Sequence, residues 1–203
     1  MTRSPHAASA AQGQSPKPFP AAVLVQPRGC AVLLLLLLWA PGVLAAQVHN
    51  ELEVKAAFVY NLTKYVEWPQ STGTLLIGVV GDGPMGPILK EMVSGKKSDS
   101  RPIEVIMLSP GDAALTRCHL LFISFRSQKK NREVLEKVRR AGILTVGDAD
   151  SFARDGGMIG LVTLENHVQI QVNLEAVTEA HLKLSSRLLQ LAMLVNNKPG
   201  TRN

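Results

Sequence analysis

Gly81-Asp82-Gly83-Pro84-Met85-Gly86 is the sharpest spacing in the chain that could do chemistry. A G-x-G-x-x-G between a buried strand and a helix brings backbone N–H groups against a pyrophosphate. Three features oppose that use here. Asp82 places negative charge in the turn and Pro84 removes a donor. Glu104, about 20 residues on, opens the next apolar run, whereas a ribose-binding acid closes it. The hexad therefore reads as a tight strand-to-helix turn. Cys118 and His119 are adjacent, so on a strand they point to opposite faces and share no ion. His49, His167 and His181 lack the H-x-x-x-H spacing of a zinc helix. No serine past residue 45 sits in a G-x-S-x-G elbow. Glu133 and Glu136 share a helix face with basic neighbours, which favours ion pairing over acid–base work. No catalytic constellation remains, so the expectation is a non-enzymatic protein with no cofactor and no metal.

The elements that would position any site follow from apolar periodicity. Val54, Phe58, Leu62 and Tyr65 recur at helical spacing from Glu51 to Trp68, and Pro69 would end that helix. Leu75 to Val80 is almost wholly apolar, as in a strand covered on both faces of a parallel sheet. A short helix through Ile88 to Val93 and a polar loop from Ser94 to Ser100 follow. Ile103 to Leu108, His119 to Ser124 and Ile143 to Val146 read as further strands, with a helix over Glu133 to Ala141. Met158 to Leu164 and His167 to Val172 form an antiparallel hairpin turning at Glu165-Asn166. Glu175 to Asn196 reads as one long helix with two apolar stripes. Alternating strands and helices make an α/β three-layer sandwich, its sheet mostly parallel, with a C-terminal antiparallel hairpin and a long C-terminal helix.

The first 45 residues stand apart. Arg3, Lys17 and Arg28 precede an apolar run from Ala31 to Trp39, and Pro41-Gly42 leads into Val43-Leu44-Ala45-Ala46. A basic start, a short apolar stretch and small residues describe a secretory signal peptide over 1–45, cut near Ala45. The run falls short of the roughly 20 apolar residues of a membrane span. The expected product is a single domain over 46–203, exported to the periplasm. The chain has 22 Lys and Arg against 16 Asp and Glu; without those three cations 19 basic residues remain, a net +3. That balance excludes a nucleic-acid footprint. Lys129, Lys130, Arg132, Arg139 and Arg140 bracket one helix and read as a solvated face.

Val54 through Pro69, containing Tyr60-Asn61-Leu62-Thr63-Lys64-Tyr65 and Glu67-Trp68-Pro69, resembles the opening helix of the YfiR family of periplasmic regulators. Cys118 to Ser124, Leu144 to Asp148, Phe152-Ala153, Gly156 to Ile159, Asn173, and Leu184 to Ala192 extend the resemblance in order over roughly residues 51–195. The resemblance implies a periplasmic α/β protein, often a homodimer, without enzymatic activity. By that resemblance such a protein restrains an inner-membrane diguanylate cyclase by binding its periplasmic sensor region, and the partner expected here is a cyclase or a sensor kinase. An outer-membrane lipoprotein can sequester it, which raises cyclic-di-GMP and promotes biofilm. The best-known members carry paired cysteines, whereas this chain keeps Cys118 alone past residue 45. Their hairpin strand often reads Asn-Arg-hydrophobic-Arg, and here it is Asn166-His167-Val168-Gln169.

A protein of that kind works through surface. Tyr60, Tyr65 and Trp68 on the first helix are the candidate partner-binding anchors, since aromatic side chains dominate many interfaces. Leu182, Leu189 and Met193, the second stripe of the last helix, are the candidate dimer interface. The alternative is a small-ligand sensor with an acidic cleft at the carboxyl ends of the strands, formed by Asp82, Ser124 and Asp148 beside Gly81.

Overall fold

Leu75–Gly81, the strand the composition marks most plainly, runs through the interior of an eight-stranded sheet. The computed structural model describes residues 41–68 and 73–197. The expected signal peptide lies outside the described residues up to position 40, and its last five residues enter the first helix. That helix, α1, is Pro41–Leu62. It is followed by β1 (Val66–Glu67), β2 (Leu75–Gly81), α2 (Met85–Val93), β3 (Lys97–Ser98) and β4 (Arg101–Leu108). Next come a 3-10 turn (Ala113–Arg117), β5 (Leu120–Ser124), α3 (Gln128–Val138), β6 (Leu144–Gly147), β7 (Ile159–Leu164) and β8 (His167–Val172). The chain closes with α4 (Leu174–Glu179), β9 (Lys183–Leu184), α5 (Ser186–Leu191) and β10 (Met193–Leu194).

The sheet order is β10-β8-β7-β6-β5-β2-β4-β3. β4, β2, β5, β6 and β7 are parallel; the hairpin partner β8 runs antiparallel to β7, and β3 antiparallel to β4. Strand β5 explains why its sequence shows no polar alternation. Leu120 and Phe122 enter one core with α1 and α2, while Leu121 and Ile123 enter a second with Val134, Leu135 and Val138 of α3. Both faces are covered, so both sets of side chains must be apolar. The fold is the mixed α/β arrangement expected, with a mostly parallel sheet and helices on both sides.

Two expectations need correction. The first helix stops at Leu62, short of Pro69. Thr63 Oγ1 donates to the Tyr60 carbonyl at 2.7 Å, and the next amides fall back to three-residue bonds, Lys64 to Asn61 and Tyr65 to Leu62. The released segment Val66–Glu67 pairs antiparallel with Lys183–Leu184 as a two-strand clasp.

The long C-terminal helix does not exist either. Asn173 caps α4 by accepting from the Ala176 amide, and the helix ends where His181 adopts φ +56°. Leu182 N–H returns to the Val177 carbonyl and His181 N–H to that of Thr178, a Schellman closure with Leu182 packed in the same core as Val177. Ser185 then caps the separate helix α5 through the Leu188 amide at 3.3 Å. The apolar stripes are real, but they are divided between two short helices and two short strands.

Beyond β6, Phe152 is clamped between two glycines. A Cβ on Gly147 would stand 2.4 Å from its ring and one on Gly157 2.2 Å. The turn that follows is tied to α3 by Asp155, which accepts from Arg132 Nη2 at 3.0 Å and from Ser151 Oγ.

Candidate partner-binding site

Trp68 stands at the end of the clasp, half-buried. Its indole N–H donates to the Thr63 carbonyl at 3.0 Å, and Ser98 Oγ donates to the same oxygen at 3.1 Å. One buried carbonyl thus holds both the indole and the β3 turn. The Trp68 ring meets His119 edge-on, with centroids 6.1 Å apart. His119 Nδ1 accepts from the Leu76 amide at 3.1 Å, and Nε2 lies 2.9 Å from Arg101 Nη2. Burial, reinforced by the adjacent guanidinium, holds the imidazole pKa below its ordinary 6.5. Arg101 is itself 6% exposed and donates through Nε to the Gly73 carbonyl at 3.1 Å.

These residues back a cavity of about 300 Å³ whose wall includes Tyr65, Trp68, Arg101 and Ser185. Its charges balance, Lys64 and Arg101 against Glu67 and Asp99. Ser185 N–H donates to the Tyr65 carbonyl at 2.9 Å, so the C-terminal segment fixes the aromatic one. Tyr60, one helical turn earlier, is also half-buried, and its hydroxyl donates to the Lys97 carbonyl at 3.3 Å. The three aromatics therefore occupy neighbouring places, each with one side packed on the core and one side open.

The residues expected to form an acidic cleft lie at the other ends of the strands. Ser124 Oγ donates to Asp148 Oδ2 at 3.1 Å, and the Asp82 amide donates to the Ser124 carbonyl at 3.1 Å. The fold thus brings Asp82, Ser124 and Asp148 together. Gly81 permits this, because a Cβ there would stand 2.2 Å from the Ser124 carbonyl oxygen. The three apolar residues assigned to a dimer contact separate. Leu182 is 5% exposed in the core and offers no surface; Leu189 is half-buried, and Met193 is 46% exposed on β10.

Arg101 and His119 were not legible as site residues. Their link runs across strands, and neither spacing nor periodicity carries it.

A family model described as YfiR/HmsC-like matches residues 52–193, well over half of the chain. The chain belongs to the YfiR/HmsC-like family. The matched span holds α1 from Leu52, the clasp, the whole sheet up to Met193, and every aromatic and acidic site residue above. The YfiR/HmsC-like family is regulatory and non-catalytic, its members are periplasmic, and they act on a partner signalling protein. The fold is similar to that of a conserved domain protein from Vibrio cholerae O1 biovar El Tor str. N16961, at TM-score 0.54 and 11% identity. The superposition takes in 72% of this chain and 60% of that one, so this chain spans well under the full length of that structure. A weaker likeness, at TM-score 0.42 and 11% identity, is to the ABC domain in complex with L-Trp from Streptococcus pneumonia, over 59% of this chain and 55% of that one.

Proposed function

We propose that this protein is an exported regulator that binds and restrains the periplasmic sensor region of an inner-membrane signalling protein, a diguanylate cyclase. The observation that carries the reading is the match of residues 52–193 to a family that acts on a partner signalling protein. The half-buried aromatics Tyr60, Tyr65 and Trp68 support it, since each keeps one side free for a partner while the other is anchored. Restraint requires only that the regulator bind the inactive state of the cyclase more tightly than the active one. An outer-membrane lipoprotein that competes for the same surface would lift the restraint. A second copy of the chain would meet it along the sheet edge that carries Met193 and Leu194.

The test is in-cell crosslinking of the full chain, followed by capture from the periplasm and envelope and identification by mass spectrometry. Recovery of a membrane protein with a cyclase output domain, lost on Trp68→Ala, supports the reading. Recovery of the chain alone, with cyclic-di-GMP unchanged on its deletion, sinks it.

A further inference from the structure

Two ammonium groups converge on the Tyr60 ring. Lys64 Nζ lies 4.4 Å from the centroid of the Tyr60 ring and Lys96 Nζ 5.0 Å. Lys97, next in the chain after Lys96, takes the Tyr60 hydroxyl on its carbonyl at 3.3 Å. All three lysines are exposed, and among the described residues none has a carboxylate within ion-pair distance. The arrangement comes from two elements. Tyr60 lies in the last turn of α1 and Lys64 in the turn just after it, while Lys96 ends the loop after α2, where Gly95 takes φ +68°, and Lys97 opens β3.

A cation over an aromatic face is held by the ring quadrupole, which restricts a side chain that would otherwise sweep through solvent. Two ammonium groups held on one half-buried ring form a preorganised positive rim around an amphipathic anchor. Arg132 is paired with Asp155, Arg139 with Glu136 and Glu179, and Lys137 Nζ with the Pro110 carbonyl. At Tyr60, by contrast, two ammonium groups rest on an aromatic ring and keep their charge open to solvent.

We infer that the Tyr60 rim, Lys64, Lys96 and Lys97, docks an acidic segment of the protein partner, one bearing Asp or Glu side chains. This rests on the proposed regulatory reading and names the chemistry its partner must present. Complementary charge at such a rim governs encounter rate and selectivity, with the aromatic supplying contact area.

The experiment compares in-cell crosslinked capture by the full chain, by Lys64→Glu/Lys96→Glu, and by Lys129→Glu/Lys137→Glu as an equally charged change on α3. Lys64→Gln/Lys96→Gln repeats the first change without reversing charge, and circular dichroism confirms that each variant folds. Capture of an identified membrane signalling protein should fall about tenfold with the reversal at Tyr60 and hold with the α3 control. Uncrosslinked capture should weaken as salt rises from about 50 to about 500 mM. Equal capture by all variants overturns the acidic-segment inference and leaves the regulatory reading standing. No signalling protein captured by the unaltered chain overturns both. Sedimentation with phosphatidylglycerol vesicles that requires Lys64 and Lys96, with protein capture unaffected, overturns it in favour of a lipid surface.

Discussion

Trp68 and His119 meet edge-to-face across a gap between strand ends, 51 positions apart in the chain, with ring centroids at 6.1 Å. The contact joins the aromatic surface to the start of β5, so the anchor is supported by the sheet itself.

Trp68→Ala removes that contact and the indole bond to the Thr63 carbonyl. The expected loss is about 2 kcal/mol of stability, below the value for a fully buried aromatic because one side of Trp68 is open. Chemical denaturation measures it. Trp68→Phe should recover most of the packing but none of the hydrogen bond, and a variant as stable as the parent would contradict the anchoring role.

His119 makes stability depend on pH. Its folded pKa is depressed below 6.5, chiefly by burial and then by Arg101. Below 6.5 the unfolded chain takes up the proton while the folded one does not, so unfolding gains. The contribution is complete above about pH 6.5 and declines as pH falls toward the folded pKa. Thermal unfolding across pH 7.5 to 5 should show the decline, and His119→Asn, keeping an acceptor for the Leu76 amide, should flatten it.

Cys118 is expected to be inert. It is 4% exposed, donates through Sγ to the Ala114 carbonyl at 3.4 Å, and burial pushes the thiol up to about 11 against a smaller opposing effect of Arg117. In a Cys30→Ser background, iodoacetamide at neutral pH should label the native chain far more slowly than the denatured one. Rapid native labelling, or a disulfide-linked dimer on a non-reducing gel, would show that the thiol is reachable.

Gly157→Ala drives a methyl into the Phe152 ring. The expected destabilisation is about 2 kcal/mol, since the ring is held from the far side by Gly147 and has nowhere to retreat. A companion Phe152→Leu should recover part of it, and additive losses in the pair would mean the clamp is not the cause.

Met193→Glu tests the sheet edge. If a second copy docks there, light scattering should report half the mass of the parent, while the monomer's circular dichroism stays the same. An unchanged mass removes Met193 from any dimer contact.

The parts that were legible share a physical cause. The apolar saturation of Leu75–Val80 and Leu120–Ile123 reports burial on both faces, and that property is local to each strand. The hairpin was legible because Glu165 and Asn166 sit at φ +47° and +62°, a turn that asparagine tolerates. The last segment misled because an apolar stripe records which side chains face a core, not whether the backbone between them is continuous. His181 gave no breaker signal of the glycine kind, and only the closure around it fixes its left-handed conformation. The adjacency of Asp82, Ser124 and Asp148 was legible because all three lie at the carboxyl ends of neighbouring parallel strands. Arg101 with His119 was not, because a contact between the beginnings of two strands depends on register.

The β1–β9 clasp sets where this chain can be cut or extended. Val66 pairs with Leu184, and Ser185 holds the Tyr65 carbonyl, so the aromatic surface near the start of the domain is completed by residues near its end. A truncation before Lys183 would free one edge of the aromatic segment while sparing the β2–β4–β5 sheet. An affinity tag is better placed beyond Asn197, which itself accepts from Asn173 at 2.6 Å and donates to Glu175 at 2.8 Å. Fragments made to map the partner must therefore carry both ends of the domain, or they will report a surface the intact protein does not present.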